Sequence, residues 1–279
     1  MAHPQIAAFA SSADGNTASV RKIEGQKTLL GRTMHAIPYD PIHDEFSVPQ
    51  EIGQAVLTFR GGANGEEAPI RIIQGPLTQI RDIERVDIDP IHNEIFIPQG
   101  DRVLVFPREA NGNVAPIRIL RSTGDFRLGS ALAVDPVHNL LIVSGSVRTG
   151  GEGDRNQRLN QARLLIFNRT DEGEAKPKAA IGGPQSQFRG SSGPFIAYPP
   201  KNEIITGVGG GGGLSNDLGY VGVWSIYDNG DVPPRWVIGG PHGVFQQIRG
   251  VALDVKDKSL IVSDKRLNAV MTFYFPEMF

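Results

Sequence analysis

The sequence predicts an all-β chain, a β-propeller of four-stranded antiparallel blades. Three observations predict it: a motif that returns about every 50 residues, short alternating strands around Gly-containing turns, and a Gly plus Pro content of about a fifth of the 279 residues. Many short strands joined by tight turns use Gly and Pro in this way, and helical chains do not.

The motif is clearest as YDPIHDEFSVPQ from Tyr39, IDPIHNEIFIPQ from Ile88 and VDPVHNLLIVSG from Val134. Looser copies are YPPKNEIITGVG from Tyr198 and LDVKDKSLIVSD from Leu253. After each copy an alternating strand ends near an aromatic: Phe59, Phe106, Phe167, Trp224 and Phe273. A turn follows in four of them, where Gly65, Gly112, Gly173 and Gly230 supply the positive φ of a tight hairpin. The proline beyond the turn (Pro69 or Pro116, for example) removes a backbone donor, which an edge strand tolerates, so this last strand is expected at the sheet edge. Each unit is then four strands, a to d. Strand a, as in ALAVDP, is apolar on both faces and is expected to be the innermost.

The ends of the chain set the blade count. The N-terminus carries a c-like strand (IAAFAS, with Phe9), a turn at Gly15 and a d-like strand (ASVRKIEG), and the C-terminus stops after a, b and c. About 21 strands make five blades in one domain over 1–279, with the N-terminal strand closing the last blade. A six-bladed arrangement is the alternative.

The pattern [VI]DPxHNxxxV, a strand ending in Phe, and ANGNVAPIRxIxGPxT resembles the NHL-repeat and YVTN-like β-propeller proteins of bacteria, across essentially the whole chain. GVALD (Gly250–Asp254) and LIVSDKRLN (Leu260–Asn268) are the segments most similar to that family's strands a and b. The resemblance implies a scaffold for protein, peptide, carbohydrate or other ligands and no single chemistry. It also implies six blades, from which the count departs. Related propellers include metal-dependent lactonases and a zinc lyase, but their ligand sets do not map onto this sequence residue by residue.

Composition excludes several classes. With 28 basic and 30 acidic side chains the net charge is −2, so no cationic footprint for nucleic acid or a membrane surface is present. The absence of cysteine removes disulfides, thiolate metal sites and a thiol nucleophile. No apolar run approaches the ~20 residues of a membrane span. MAHPQIAAFASSADG shows no signal-peptide pattern, which leaves both a cytoplasmic and a mature exported protein open.

His43, His92 and His138 share one turn position in three blades. Zinc needs its ligands about 2 Å from a common centre, and equivalent turns on separate blades stand a blade-width apart. Asp-Pro-x-His reads as turn chemistry, and the neighbouring Asp44, Glu45 and Glu94 follow the same repeat. The glycine run 209–213 lacks the Lys-Ser/Thr of a phosphate loop and reads as a flexible connection. No GxSxG, HExxH or calcium-loop pattern is present.

Two insertions depart from the repeat, 145–162 and 207–219, both in b–c loops and both expected on one face. They read either as binding loops or as tolerated surface insertions. The same face is expected to present the residues leading into strand a, namely His35, Glu84 with Arg85, Ser130, Pro194 and Arg249. The ends of strand b add Gln50, Gln99, Ser144 and Asp264. A polar ring at a channel mouth is a ligand-site pattern; the rival is a set of groups satisfying one another and ordered water. From this follow the expected functions. The first is a non-enzymatic scaffold binding a protein, peptide or small molecule through His35, Glu84, Arg85, Ser130, Arg249, Gln50, Gln99 and Asp264, with no cofactor. The alternative is a metal-dependent hydrolase, lactonase or lyase using His35, Glu84 and Asp264, with a divalent metal that no motif supports. A structural or oligomerising module is the third.

Overall fold

The computed structural model describes residues 4–32, 34–147, 161–208, 219–240 and 243–279. The chain is an all-β, five-bladed propeller of antiparallel sheets, with short 3-10 turns and no α-helix among the described residues. The glycine run 209–213 and most of both insertions lie outside the described residues. The chain groups into two compact units, Met1–Ile97 with Leu104–Ile117 and Pro98–Val103 with Arg118–Phe279.

The first unit begins with a hairpin of β1 (Gln5–Ala8) and β2 (Arg21–Glu24). The first blade follows as β3 (Tyr39–Asp40), β4 (Glu45–Gln50), β5 (Ala55–Arg60) and β6 (Arg71–Ile73), hydrogen-bonded in that order. The second blade, through which the division passes, comprises β7 (Asp87–Asp89), β8 (Glu94–Pro98), β9 (Val103–Pro107) and β10 (Arg118–Ser122). Phe46 and Phe59 stack at 5.3 Å between ring centroids inside the first blade, with Val48 and Leu57 beside them.

The second unit contains the third blade: β11 (Phe126–Asp135), β12 (Leu140–Val147), β13 (Ala162–Asn168) and, beyond the short β14 (Gly173–Ala175), β15 (Ala179–Ile181). The fourth is β16 (Ser191–Tyr198), β17 (Glu203–Val208), β18 (Tyr220–Ser225) and β19 (Trp236–Gly239). The fifth has three described strands, β20 (Ile248–Asp254), β21 (Ser259–Asp264) and β22 (Ala269–Tyr274). Trp224 is fully buried and meets Phe188 edge-on at 5.9 Å. Burying an aromatic of this size is worth about 3 kcal/mol.

Among the described residues β2 pairs with β1, and the three-stranded fifth sheet ends at β22. The strands among the described residues exceed the expected 21 through β14, which arises from a second use of the turn glycines. Gly65, Gly112, Gly173 and Gly230 have φ of 63°, 77°, 63° and 82°, as the hairpins require. Each also bridges in parallel to the preceding outer strand: Ile23 to Gly65, Ile73 to Gly112, Leu120 to Gly173, Ile181 to Gly230. Those four apolar residues are buried as a result.

The histidine turns are as expected. In the first, Asp40 Oδ1 accepts from the Ile42 and His43 amides at 2.9 and 3.0 Å, and Oδ2 sits 2.7 Å from His43 Nδ1. Asp89 with His92 and Asp135 with His138 repeat this geometry. The imidazole is tied to its own turn in all three.

No helix among the described residues is long and apolar enough to cross a membrane.

Candidate functional site

In the second unit, strand a of every blade is irregular at its start. In β11, residues 129–131 stand opposite the single Ser144, because pairing jumps from Leu128–Gly145 to Leu132–Val143. In β16, residues 192–194 stand opposite Gly207 alone. In β20, Arg249 has no residue opposite it, between the Ile248–Asp264 and Gly250–Ser263 pairs. These shifts hold Ser130, Pro194 and Arg249, the three residues of this unit that the sequence places at the start of strand a. A bulge breaks the alternation of the ladder and re-aims the side chain it carries.

The bulges are tightly packed. Ser144 Oγ accepts from the Ala131 amide at 3.0 Å, inside the first of them. A Cβ on Gly193 would lie 2.4 Å from the Arg249 carbonyl oxygen, so only glycine fits between the fourth and fifth blades there.

Asp264 is engaged by backbone amides. It is 2% exposed. Its Oδ2 accepts from the Gln246 and Gln247 amides at 2.7 and 2.8 Å, and its Oδ1 from Arg266 and Leu267 at 2.9 and 3.1 Å. Burial pushes the carboxyl up, and the four amide bonds outweigh burial and hold it below the ordinary carboxylate range. With its oxygens committed to the backbone, Asp264 is a positioning residue. It pins the segment that leads into β20 and Arg249.

Gln99, also in this unit, donates to the Pro98 carbonyl at 3.1 Å, while its amide donates to the Arg102 carbonyl at 2.8 Å. It shapes its own turn, beside an Arg102 that is 6% exposed. Tyr220, which opens β18 directly after the fourth blade's long connection, donates its hydroxyl to the Gln187 carbonyl at 2.5 Å. Burial pushes that phenol up. Nothing in the repeat marks Tyr220, since its partner belongs to a different loop.

In the first unit, Gln50 closes its own b–c turn by accepting from the Gly53 amide and donating to the Leu29 carbonyl at 3.4 Å. His35 is exposed. Glu84 Oε2 accepts from the Arg85 guanidinium at 3.2 Å, and Arg85 is 6% exposed. The expected set thus divides into two kinds. Gln50, Gln99 and Asp264 are engaged in shaping turns, whereas Ser130, Arg249, His35 and the Glu84–Arg85 pair lie where strand a begins. Among the described residues no group of three His, Asp or Glu side chains could hold a metal ion.

No family model matches the chain, and no curated protein matches it. Solved structures do. One, described as the crystal structure of the mitotic checkpoint complex, matches over 92% of this chain and 65% of its own, with a TM-score of 0.55 and 13% identity. The chain therefore spans just under two-thirds of that relative. Another, a putative 6-phosphogluconolactonase from Bacteroides uniformis, matches over 93% of this chain and 70% of its own, with a TM-score of 0.57 and 14% identity. At such identities the likeness is one of fold. It is a propeller fold.

Proposed function

We propose that the chain is a non-enzymatic binding scaffold of NHL-like propeller type. Its partner docks at the bulged starts of β11, β16 and β20. The observation that carries this reading is the coincidence of all three register shifts in the second unit with Ser130, Pro194 and Arg249. A regular ladder has no need of such shifts, and bulges concentrate next to functional sites. Loops on a rigid sheet are where binding residues gather. The checkpoint-complex neighbour is a propeller within a protein assembly, in keeping with a scaffold role.

The test is quantitative capture of partners by the wild-type chain, by Arg249→Glu and by the exposed control Lys176→Glu. Partners lost with Arg249→Glu alone support the site, and equal retention by all three overturns it. The lactonase neighbour motivates one parallel measurement. A stoichiometric divalent ion in the purified protein, whose chelation lowers the melting temperature, together with ester or lactone hydrolysis, would replace the scaffold with the hydrolase alternative.

A further inference from the structure

The N-terminal hairpin reproduces the outer half of a blade. Its register, Ile6 opposite Ile23 and Ala8 opposite Arg21, is that of the first blade, where Val56 faces Ile73 and Thr58 faces Arg71. Its contacts to the next turn match as well. The Gly65 amide donates to the Lys22 carbonyl at 2.8 Å, as the Gly112 amide donates to Ile72, and Asn64 accepts from the Lys22 amide as Asn111 accepts from Ile72. Arg21 is therefore the counterpart of Arg71.

The two arginines differ in what they meet. Arg71 forms a double bond pair with Glu45, its Nη1 reaching Oε1 at 3.0 Å and its Nη2 reaching Oε2, while Arg108 donates to Oε2 at 2.7 Å. Glu45 lies on β4, and among the described residues the hairpin has no strand in that place. The counterpart of Arg108 is Gly61: both follow the strand aromatic by two residues, and the amides of both donate to the turn residue of their own blade, Asn93 or Asp44. Arg21 accordingly donates only to the Gly61 carbonyl, at 2.6 Å, with no carboxylate within ion-pair distance among the described residues.

Open space lies beside Arg21. A cavity of about 290 Å³ lies between the hairpin and the first blade, bounded by Arg21 and Gly61 and walled by Ile6, Ile23, Ile37, Phe46 and Tyr39. Its volume is that of a small-molecule site, apolar with one fixed polar group. Asp44 accepts from the Tyr39 hydroxyl at 2.8 Å. We infer that this cavity binds a small monocarboxylic acid, its carboxylate paired with Arg21 in the position that Glu45 takes beside Arg71, and its hydrocarbon body against Ile6, Ile23, Ile37 and Phe46. A guanidinium presents a planar donor fork suited to a carboxylate.

The experiment is calorimetric titration of the full chain with octanoate and with octanamide, repeated on Arg21→Gln and on Lys22→Gln, a change on the other face of the same strand. Saturable octanoate binding is expected, with octanamide and the Arg21→Gln chain each weaker by about tenfold or more and Lys22→Gln unchanged. Circular dichroism checks that each variant folds. Absence of octanoate binding to the folded wild-type chain overturns the assignment, as does equal binding of the amide or equal binding by Arg21→Gln. Binding of a peptide copying residues 44–50 without binding of octanoate would also overturn it, because the space would then belong to a strand.

Discussion

The third and fifth blades are built from similar strands and end in different environments. In β13 the residues ARLLIFN are almost continuously buried, with β15 on the outer edge. In β22 the residues AVMTFY alternate between half-buried and exposed, and Val270 and Tyr274 are 71% and 73% exposed. The outer strands differ in the same way. Ile181 of β15 is fully buried through its bridge to Gly230, whereas β19 has no such bridge among the described residues, and Trp236 and Val237 are exposed. Strand composition sets what a strand can bury. The fourth strand and the next blade's turn decide what it does bury.

The largest effect that sharpens this comparison is expected at equivalent aromatics. Phe167→Ala should cost about 3–5 kcal/mol in urea denaturation, as a fully buried aromatic does. Phe273→Ala should cost about half of that, because Phe273 is half-buried and keeps one edge-on contact, to Phe245 at 5.3 Å. Equal losses would break the comparison. Next comes the fifth blade's own anchor. Asp264→Ala leaves four amides without their acceptor and should cost about 2–3 kcal/mol, with faster amide exchange at Gln246, Gln247, Arg266 and Leu267.

Two equivalent acids extend the contrast to neighbouring side chains. For Glu45, burial pushes the carboxyl up, but Arg71 and Arg108 outweigh it and hold it below the ordinary value. Its contribution is present above the unfolded carboxylate pKa and is lost as pH falls through the depressed folded value. Glu203 occupies the same position in the fourth blade, where Phe275 stands in place of the second arginine. Burial raises its carboxyl, and the charges of Arg235 and Lys201 only partly offset that. Its contribution is present below the unfolded pKa and is lost as pH rises through the raised folded value. At pH 7 Glu45→Gln should therefore destabilise by about 2 kcal/mol, while Glu203→Gln should stabilise by about 1 kcal/mol, and pH-dependent melting curves check both signs. The smallest effect is expected at Tyr274→Lys, within about 0.5 kcal/mol of wild type, since the side chain is solvated already.

Much of the candidate site was legible because it follows the repeat. Five residues back from the position of Asp40 in each blade, which is Asp135, Pro199 and Asp254 here, lead to Ser130, Pro194 and Arg249, and all three lie in register shifts. The roles of Gln50 and Asp264 were not legible. Their side chains answer backbone amides and a carbonyl whose approach depends on how a loop 17 to 21 residues away in sequence comes back. A polar residue at a strand end reads the same in sequence whether it faces a ligand or closes a turn.

By itself the sequence determined the local events. Turn glycines take positive φ because a side chain disfavours it, Asp-Pro-x-His folds on itself because its partners are three residues apart, and alternating apolar residues become strands wherever both faces can be covered. The tertiary structure decided which strands were covered and which charges found partners. Among the described residues β22 pairs with β21 alone, β2 lies against β1, and Arg21 meets no carboxylate of the kind that its counterpart Arg71 has. Burial and ion pairing are properties of two surfaces in contact, and the second surface comes from another part of the chain.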